Sequence, residues 1–207
     1  LMNGLLRMGW SHGDDEIIPT AKALEWFGLD GLGKAPARLD PEKLASINAH
    51  YIEGLGNEGF VDAVSPFLEK APSEAQKAML TRGGPFLKAR MKLLADINAA
   101  AGFVLLERPF EITGKPAKPL KKEGAMEHLG AIKDLLEGQD DWSPAALDER
   151  LQGYAEGAGV GFGQVGPALR AALTAGQPSP SIGETLHTLG QDEALARIHQ
   201  ALSAHSS

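Results

Sequence analysis

Three helix-start devices constrain this chain more than any other feature. Asp40-Pro41-Glu42-Lys43 sets an acidic cap before a proline at the first helical position, and Ser143-Pro144 repeats the arrangement. Ser181-Ile182-Gly183-Glu184 has the spacing of a capping box, in which a serine hydroxyl and a glutamate carboxylate satisfy each other's backbone amides. Apolar residues follow each start at helical spacing: Leu44, Ile47 and Tyr51 in the first, Leu147, Leu151, Tyr154 and Ala158 in the second, and Leu195, Ile198 and Leu202 in a last amphipathic helix. The spacing predicts a helix over 41–52 and another over 85–100. Only 102–113, with Phe103-Val-Leu-Leu106, reads as an extended run. The expected fold class is all-α, with helical bundle subdomains in series.

Glycines at 54, 56 and 59 and the stiff, charged stretch Gly114-Lys-Pro-Ala-Lys-Pro119 mark the softest points of the chain. Cuts near residues 55 and 122 divide it into segments 1–55, 56–122 and 123–207. The 207 residues carry 43% apolar side chains, enough for ordinary cores, and no apolar run approaches the roughly 18 residues of a membrane span. The lack of Cys excludes disulfides and thiolate metal sites and is compatible with a reducing, cytoplasmic setting.

A formal charge of −7 argues against a phosphate-rich partner until its distribution is considered. Between Arg82 and Glu123, nine cations (Arg82, Lys88, Arg90, Lys92, Arg108, Lys115, Lys118, Lys121 and Lys122) meet only Asp96, Glu107, Glu111 and Glu123. This basic band lies between two acidic flanks, either as a binding surface or as a solvated face with a lysine-rich linker.

Two arginines stand out within the helical reading. In the helix expected over 85–100, Arg90 falls inside the apolar arc of Phe86, Leu87, Met91, Leu93, Leu94 and Ile97, while Lys88 and Lys92 project elsewhere. A guanidinium there needs a carboxylate, backbone carbonyls or a ligand, or must snorkel to water. Arg170 lies at the edge of a short helix that Pro167 is expected to open, followed by the rigid Gln177-Pro-Ser-Pro-Ser181 loop. Such a loop is either a plain helix connection or a fixed set of amides and carbonyls of the kind that reads unpaired bases. His12 with Asp14, Asp15 and Glu16 reads as a polar turn with a helix-capping role, not a metal cluster, and His187, His199 and His205 have no ligand spacing. No nucleophile, base and oxyanion set is recognisable, so no catalytic residue is assigned.

The opening run Asn3-Gly-Leu-Leu-Arg-Met-Gly-Trp-Ser-His-Gly-Asp-Asp-Glu16 closely resembles bacterial glutamyl-tRNA synthetases, where similar words follow the catalytic domain. Three further blocks are similar to the same family in the same order. They are Arg38 to Ile52, Pro167-Ala-Leu-Arg-Ala-Ala-Leu-Thr174 with Ser179-Pro-Ser-Ile182, and His187-Thr-Leu-Gly-Gln-Asp-Glu-Ala-Leu-Ala-Arg197. The chain departs from the family's pattern at Ala168, Ala175 and Ser181, where Gln, Gly and Gly are usual. It opens at Leu1 without an initiator Met, which reads as a processed or excised segment of a longer protein.

The resemblance implies the tRNA-holding portion of a glutamate–tRNA ligase: a stem-contact region over 1–55 and a two-part anticodon-binding domain beyond it. It implies that Arg90 and Arg170 approach the anticodon bases, with Ser179, Pro180 and Ile182 lining the same region. Arg7, Trp10, Lys43, Asn48 and Tyr51 would support the inner side of the tRNA L. Its implied partners are tRNA(Glu), with tRNA(Gln) as a second candidate, and a covalently linked class I catalytic domain. That domain would use ATP and Mg²⁺, so this segment alone is expected to need no cofactor and to be inactive. The competing classes are a free-standing helical RNA-binding module and a helical protein-interaction scaffold with an incidental basic band.

Overall fold

A computed structural model describes residues 2–33 and 40–205. Leu1, Arg38, Leu39 and the side chain of His205 lie outside the described residues. The chain is all-α, and the only β pairing among the described residues is an isolated antiparallel bridge between Trp10 and Leu32. The helices are α1 (Met2–Leu6), α2 (Thr20–Trp26), α3 (Pro41–Glu53), α4 (Asn57–Val64), α5 (Glu74–Lys88), α6 (Ile97–Ala100), α7 (Ala125–Glu137), α8 (Pro144–Gly157), α9 (Phe162–Thr174), α10 (Ile182–Leu189) and α11 (Gln191–His205).

The capping devices act as the sequence predicts. Asp40 Oδ1 accepts from the amides of Glu42 (2.9 Å) and Lys43 (3.2 Å) and opens α3. Ser143 caps α8, whose Leu147 and Leu151 are buried. Ser181 and Glu184 form the reciprocal box at α10.

The helix expected over 85–100 is not there. A fourth device, the Ser73-Glu-Ala-Gln76 capping box, starts α5 at Glu74, and Pro85 sits inside the helix instead of opening it. Glycine explains how that part of α5 packs: a Cβ on Gly83 would overlap Thr188 of α10, and one on Gly84 would press on Asn57 of α4. The helix ends at Lys88, so the residues after it leave the helical phase. Lys88 is the buried cation, 8% exposed, and its Nζ donates to the Leu55 carbonyl, whereas Arg90 is exposed. The expected burial of the two is therefore exchanged. Pro167 is likewise internal, because α9 begins a turn earlier at Phe162.

The segment expected to be extended is irregular. Phe103 and Val104 are fully buried, and with no partner strand their backbone groups need other partners. The Val104 amide donates to the Ala101 carbonyl at 2.8 Å, and Arg197 supplies the partner of the Phe103 carbonyl. This wholly buried guanidinium on α11 donates to the carbonyls of Phe103 (2.7 Å), Leu106 (3.3 Å) and Leu173 (2.7 Å) and to Glu193 (2.7 Å). Gln76 Nε2 takes the Leu105 carbonyl at 3.2 Å.

One apolar cluster runs from Ile52 to Ala201, so segments 56–122 and 123–207 share a core. Within it α11 packs on α7 and α9, and α10 on α5 and α8. Residues 2–33 fold around Trp10, whose indole N–H donates to the Gly28 carbonyl at 3.0 Å. His12 stacks on Trp26 at 4.4 Å between ring centroids. Asp14, Asp15 and Glu16 do not cap a helix, since α2 starts behind Pro19 with no side-chain cap. No described helix is long and apolar enough to cross a membrane.

Removing this guanidinium takes the donor from three carbonyls, two of them in fully buried bonds, and leaves Glu193 with Arg108 alone. Arg197→Ala should therefore cost about 3 to 5 kcal/mol of stability in urea denaturation. A loss under roughly 1 kcal/mol would contradict the role given to Arg197.

Candidate nucleic-acid interface

The Gln177–Ser181 loop is fixed at both ends. On one side, α9 ends in Ala175 at φ 49°, a left-handed turn that redirects the chain, and a Cβ on the following Gly176 would overlap Pro116 of the lysine-rich stretch. On the other, Ser181 caps α10 while Asp148 of α8 accepts from the Gly183 amide at 2.9 Å. The close approach of α8 to α10 leaves no room for a side chain at Gly183.

Arg170 reaches into this loop. Its Nη1 donates to Ser179 Oγ and to the Pro180 carbonyl, the latter at 2.7 Å. Those bonds orient the guanidinium without neutralising it. Burial pushes its pKa down, the nearby positive charge of Arg90 pushes the same way, and Asp148 opposes them. Arg90 and Arg170, 80 positions apart in the numbering, are thus electrostatic neighbours. Among the described residues neither is in an ion pair. Ser179 is half-buried, and Pro180 and Ile182 are buried.

The basic band divides into two groups. Arg82 donates to the carbonyls of His187 (3.2 Å), Thr188 (3.1 Å) and Leu189 (2.8 Å), closing the C-terminal end of α10, and burial lowers its pKa. Lys88 is buried and Arg108 pairs with Glu193 at 3.0 Å. Arg90, Lys92, Lys115, Lys118, Lys121 and Lys122 remain exposed.

Three of the N-terminal candidates, Lys43, Asn48 and Tyr51, have polar partners within the chain. Lys43 pairs with Glu16 at 2.8 Å, which holds the Glu16 carboxyl below its usual range. Tyr51 OH donates to Asn3 Oδ1 at 3.3 Å, Asn48 Nδ2 donates to the Lys92 carbonyl at 2.7 Å, and Arg7 tucks its Nε and one Nη out of solvent with no hydrogen-bond partner. Sequence reasoning counted Arg82 in the basic band without its role at α10, and missed Asp148 altogether. Neither role could be found from periodicity, because the partners lie far along the chain. No group of three or more His, Asp or Glu among the described residues is placed to hold a metal ion.

The family described as "Anticodon binding domain" matches residues 59–202, most of the chain. The chain belongs to the anticodon-binding domain family. It is also 39% identical over 96% of its length to glutamate–tRNA ligase 1 of Hyphomonas neptunium and 38% identical over 98% to glutamate–tRNA ligase 2 of Maricaulis maris. It spans 41% and 43% of those two relatives. A solved glutamate tRNA ligase from Elizabethkingia meningosepticum superposes with a TM-score of 0.78 at 22% identity, over 98% of this chain and 40% of that one. That likeness speaks for the fold. The match to the anticodon-binding domain takes in Arg90, Arg170 and the Ser179 loop, and leaves Arg7, Lys43, Asn48 and Tyr51 outside its limits.

Ala175 occupies a backbone region where a Cβ costs about 1 kcal/mol. Ala175→Gly should raise stability by about 0.5 kcal/mol, the flexibility of glycine in the unfolded chain offsetting part of the gain. An unchanged or lower melting temperature would refute the strain assigned to this turn.

Proposed function

We propose that this anticodon-binding domain holds tRNA(Glu) for a glutamate–tRNA ligase, with Arg90 and Arg170 reading anticodon bases beside the Ser179–Ile182 loop. The observation that carries this reading is Arg170, outside any ion pair and held to a fixed loop by Ser179 Oγ and the Pro180 carbonyl, with the charge of the exposed Arg90 acting on it. Arg170, oriented by Ser179 and Pro180, offers its remaining N–H groups to a base edge, as does the exposed Arg90, while the exposed lysines of the band meet phosphates nearby. Ile182, whose side chain is buried at the start of α10, gives the floor of that surface. In this reading residues 1–55 support the inner side of the L, with Lys43 and Tyr51 on α3 and Arg7 after α1 nearest the stem.

The remainder of the ligase, a covalently linked class I catalytic domain in a cytoplasmic enzyme, would bind ATP and Mg²⁺ and esterify the 3′ end of the tRNA. The lengths of the relatives leave room for such a domain, since this chain covers 41% and 43% of two of them. A second feature supports it. Met2, Leu5, Leu24, Phe27, Leu29 and Leu32 are all exposed, Leu24 to 80% and Leu29 to 78%, and Met2, Leu24 and Phe27 line an apolar cleft of about 280 Å³ between α1 and α2. An apolar face of this kind calls for a covering surface. tRNA(Gln) is the second RNA candidate, because closely similar anticodons present closely similar edges.

Two measurements test the proposal. Affinity for tRNA(Glu) should fall by orders of magnitude between about 50 and 200 mM salt, and no binding at either salt would refute the reading. Arg170→Ala should weaken cognate tRNA by roughly 1 to 3 kcal/mol more than a tRNA with a substituted anticodon. Equal losses for the two RNAs would reduce Arg170 to a phosphate contact or a structural residue.

A further inference from the structure

Arg90 lies on a five-residue turn between the end of α5 and the 3₁₀ turn Leu94–Asp96, and that turn is tied down from two directions. From its own side, the Asp96 carboxylate accepts from the amides of Lys92 (2.9 Å) and Leu93 (2.8 Å). From the N-terminal segment, the carboxamide of Asn48 on α3 donates to the Lys92 carbonyl at 2.7 Å. The peptide immediately beyond Arg90 and Met91 thus has both its polar groups held by side chains. Buried Met91 and the Lys88 bond to the Leu55 carbonyl fix the near side of the turn.

An arginine side chain has many rotamers, and a base contact requires its plane within a narrow range of positions. The amides of Arg90 and Met91 donate to the Leu87 (3.0 Å) and Lys88 (3.1 Å) carbonyls, so the near side is held by backbone and the far side, at Lys92 and Leu93, by Asn48 and Asp96. We propose that Asn48 and Asp96 are positioning residues for Arg90: Asn48 joins the N-terminal segment to the anticodon surface by holding the Lys92 carbonyl and does not itself contact RNA. This deepens the functional reading above and rests on it. It also reassigns Asn48, which the family resemblance sets among the tRNA stem contacts. Asp96 is informative because a carboxylate gains nothing from a phosphate, so any effect of its removal on RNA recognition must pass through the turn.

The test uses the whole 207-residue chain with two RNA transcripts, tRNA(Glu) and the same molecule with a substituted anticodon. Asn48→Ala, the near-isosteric Asn48→Asp and Asp96→Ala are each measured alone and combined with Arg90→Ala, with circular dichroism to verify the fold. Each single variant should lower the preference for the cognate anticodon about fivefold or more while leaving affinity for the substituted RNA within about twofold. In the Arg90→Ala background the same substitutions should change cognate binding by less than about twofold, because coupled residues do not add. Losses that are equal for both RNAs, that persist in the Arg90→Ala background, or that are absent from Asn48→Ala or Asp96→Ala would overturn the proposal. If the unsubstituted chain prefers neither RNA, the base-reading role falls first and the inference falls with it, and that result is seen before any substitution is made.

Discussion

The buried guanidinium of Arg197 is the interaction on which the rest of the fold depends. It lets a segment with no regular hydrogen bonding, Phe103 to Leu106, sit in the middle of a helical core, because its carbonyls are met by a side chain where a ladder would otherwise be needed. The same group takes the carbonyl of Leu173, one residue before the end of α9, and so ties α11 to the last turn of the helix that carries Arg170. Glu193 balances its charge from one turn earlier on α11. Burial lowers the pKa of Arg197, yet the ion pair and the carbonyls keep the charged form in place.

Seen against Arg197, the other arginines divide by what they meet. Arg82 spends its donors on the last carbonyls of α10, so that helix is gripped at its C-terminal end by α5 and at its N-terminal end by Ser181 and Asp148. The loop that Arg170 touches is therefore mounted on a helix with little freedom to move. Arg170 spends part of its capacity on Ser179 and Pro180, and Arg90 spends none in an ion pair among the described residues. A net charge of −7 is compatible with phosphate binding under this division, because the exposed cations collect along one band and the acidic side chains lie on either side of it in the chain.

Local chemistry was the legible part of the sequence. Asp40, Ser143 and Ser181 announce helix starts through atoms within three residues of themselves, and all three cap as read. Pro85 and Pro167 misled for the converse reason: proline suits a first turn, but each sits within a helix started earlier, at Glu74 by the Ser73–Gln76 box and at Phe162. Ending α5 at Lys88 then exchanged the surroundings of Lys88 and Arg90, since an arc drawn at about 100° per residue has no meaning past a helix terminus. The bonds of Arg197, Arg82 and Asn48 join residues far apart along the chain, so no periodicity could announce them. The shared role given to Arg90 and Arg170 came from family resemblance and not from any spacing.

The account turns on which guanidinium groups an unpaired anticodon meets. The most direct measurement is the arginine Nε–Hε spectrum of the isotope-labelled chain titrated with a tRNA(Glu) anticodon stem-loop. The resonances of Arg90 and Arg170 should move together and saturate, while those of Arg82 and Arg197, committed to backbone carbonyls, stay in place. Unmoved Arg90 and Arg170 signals at saturating RNA would contradict the account.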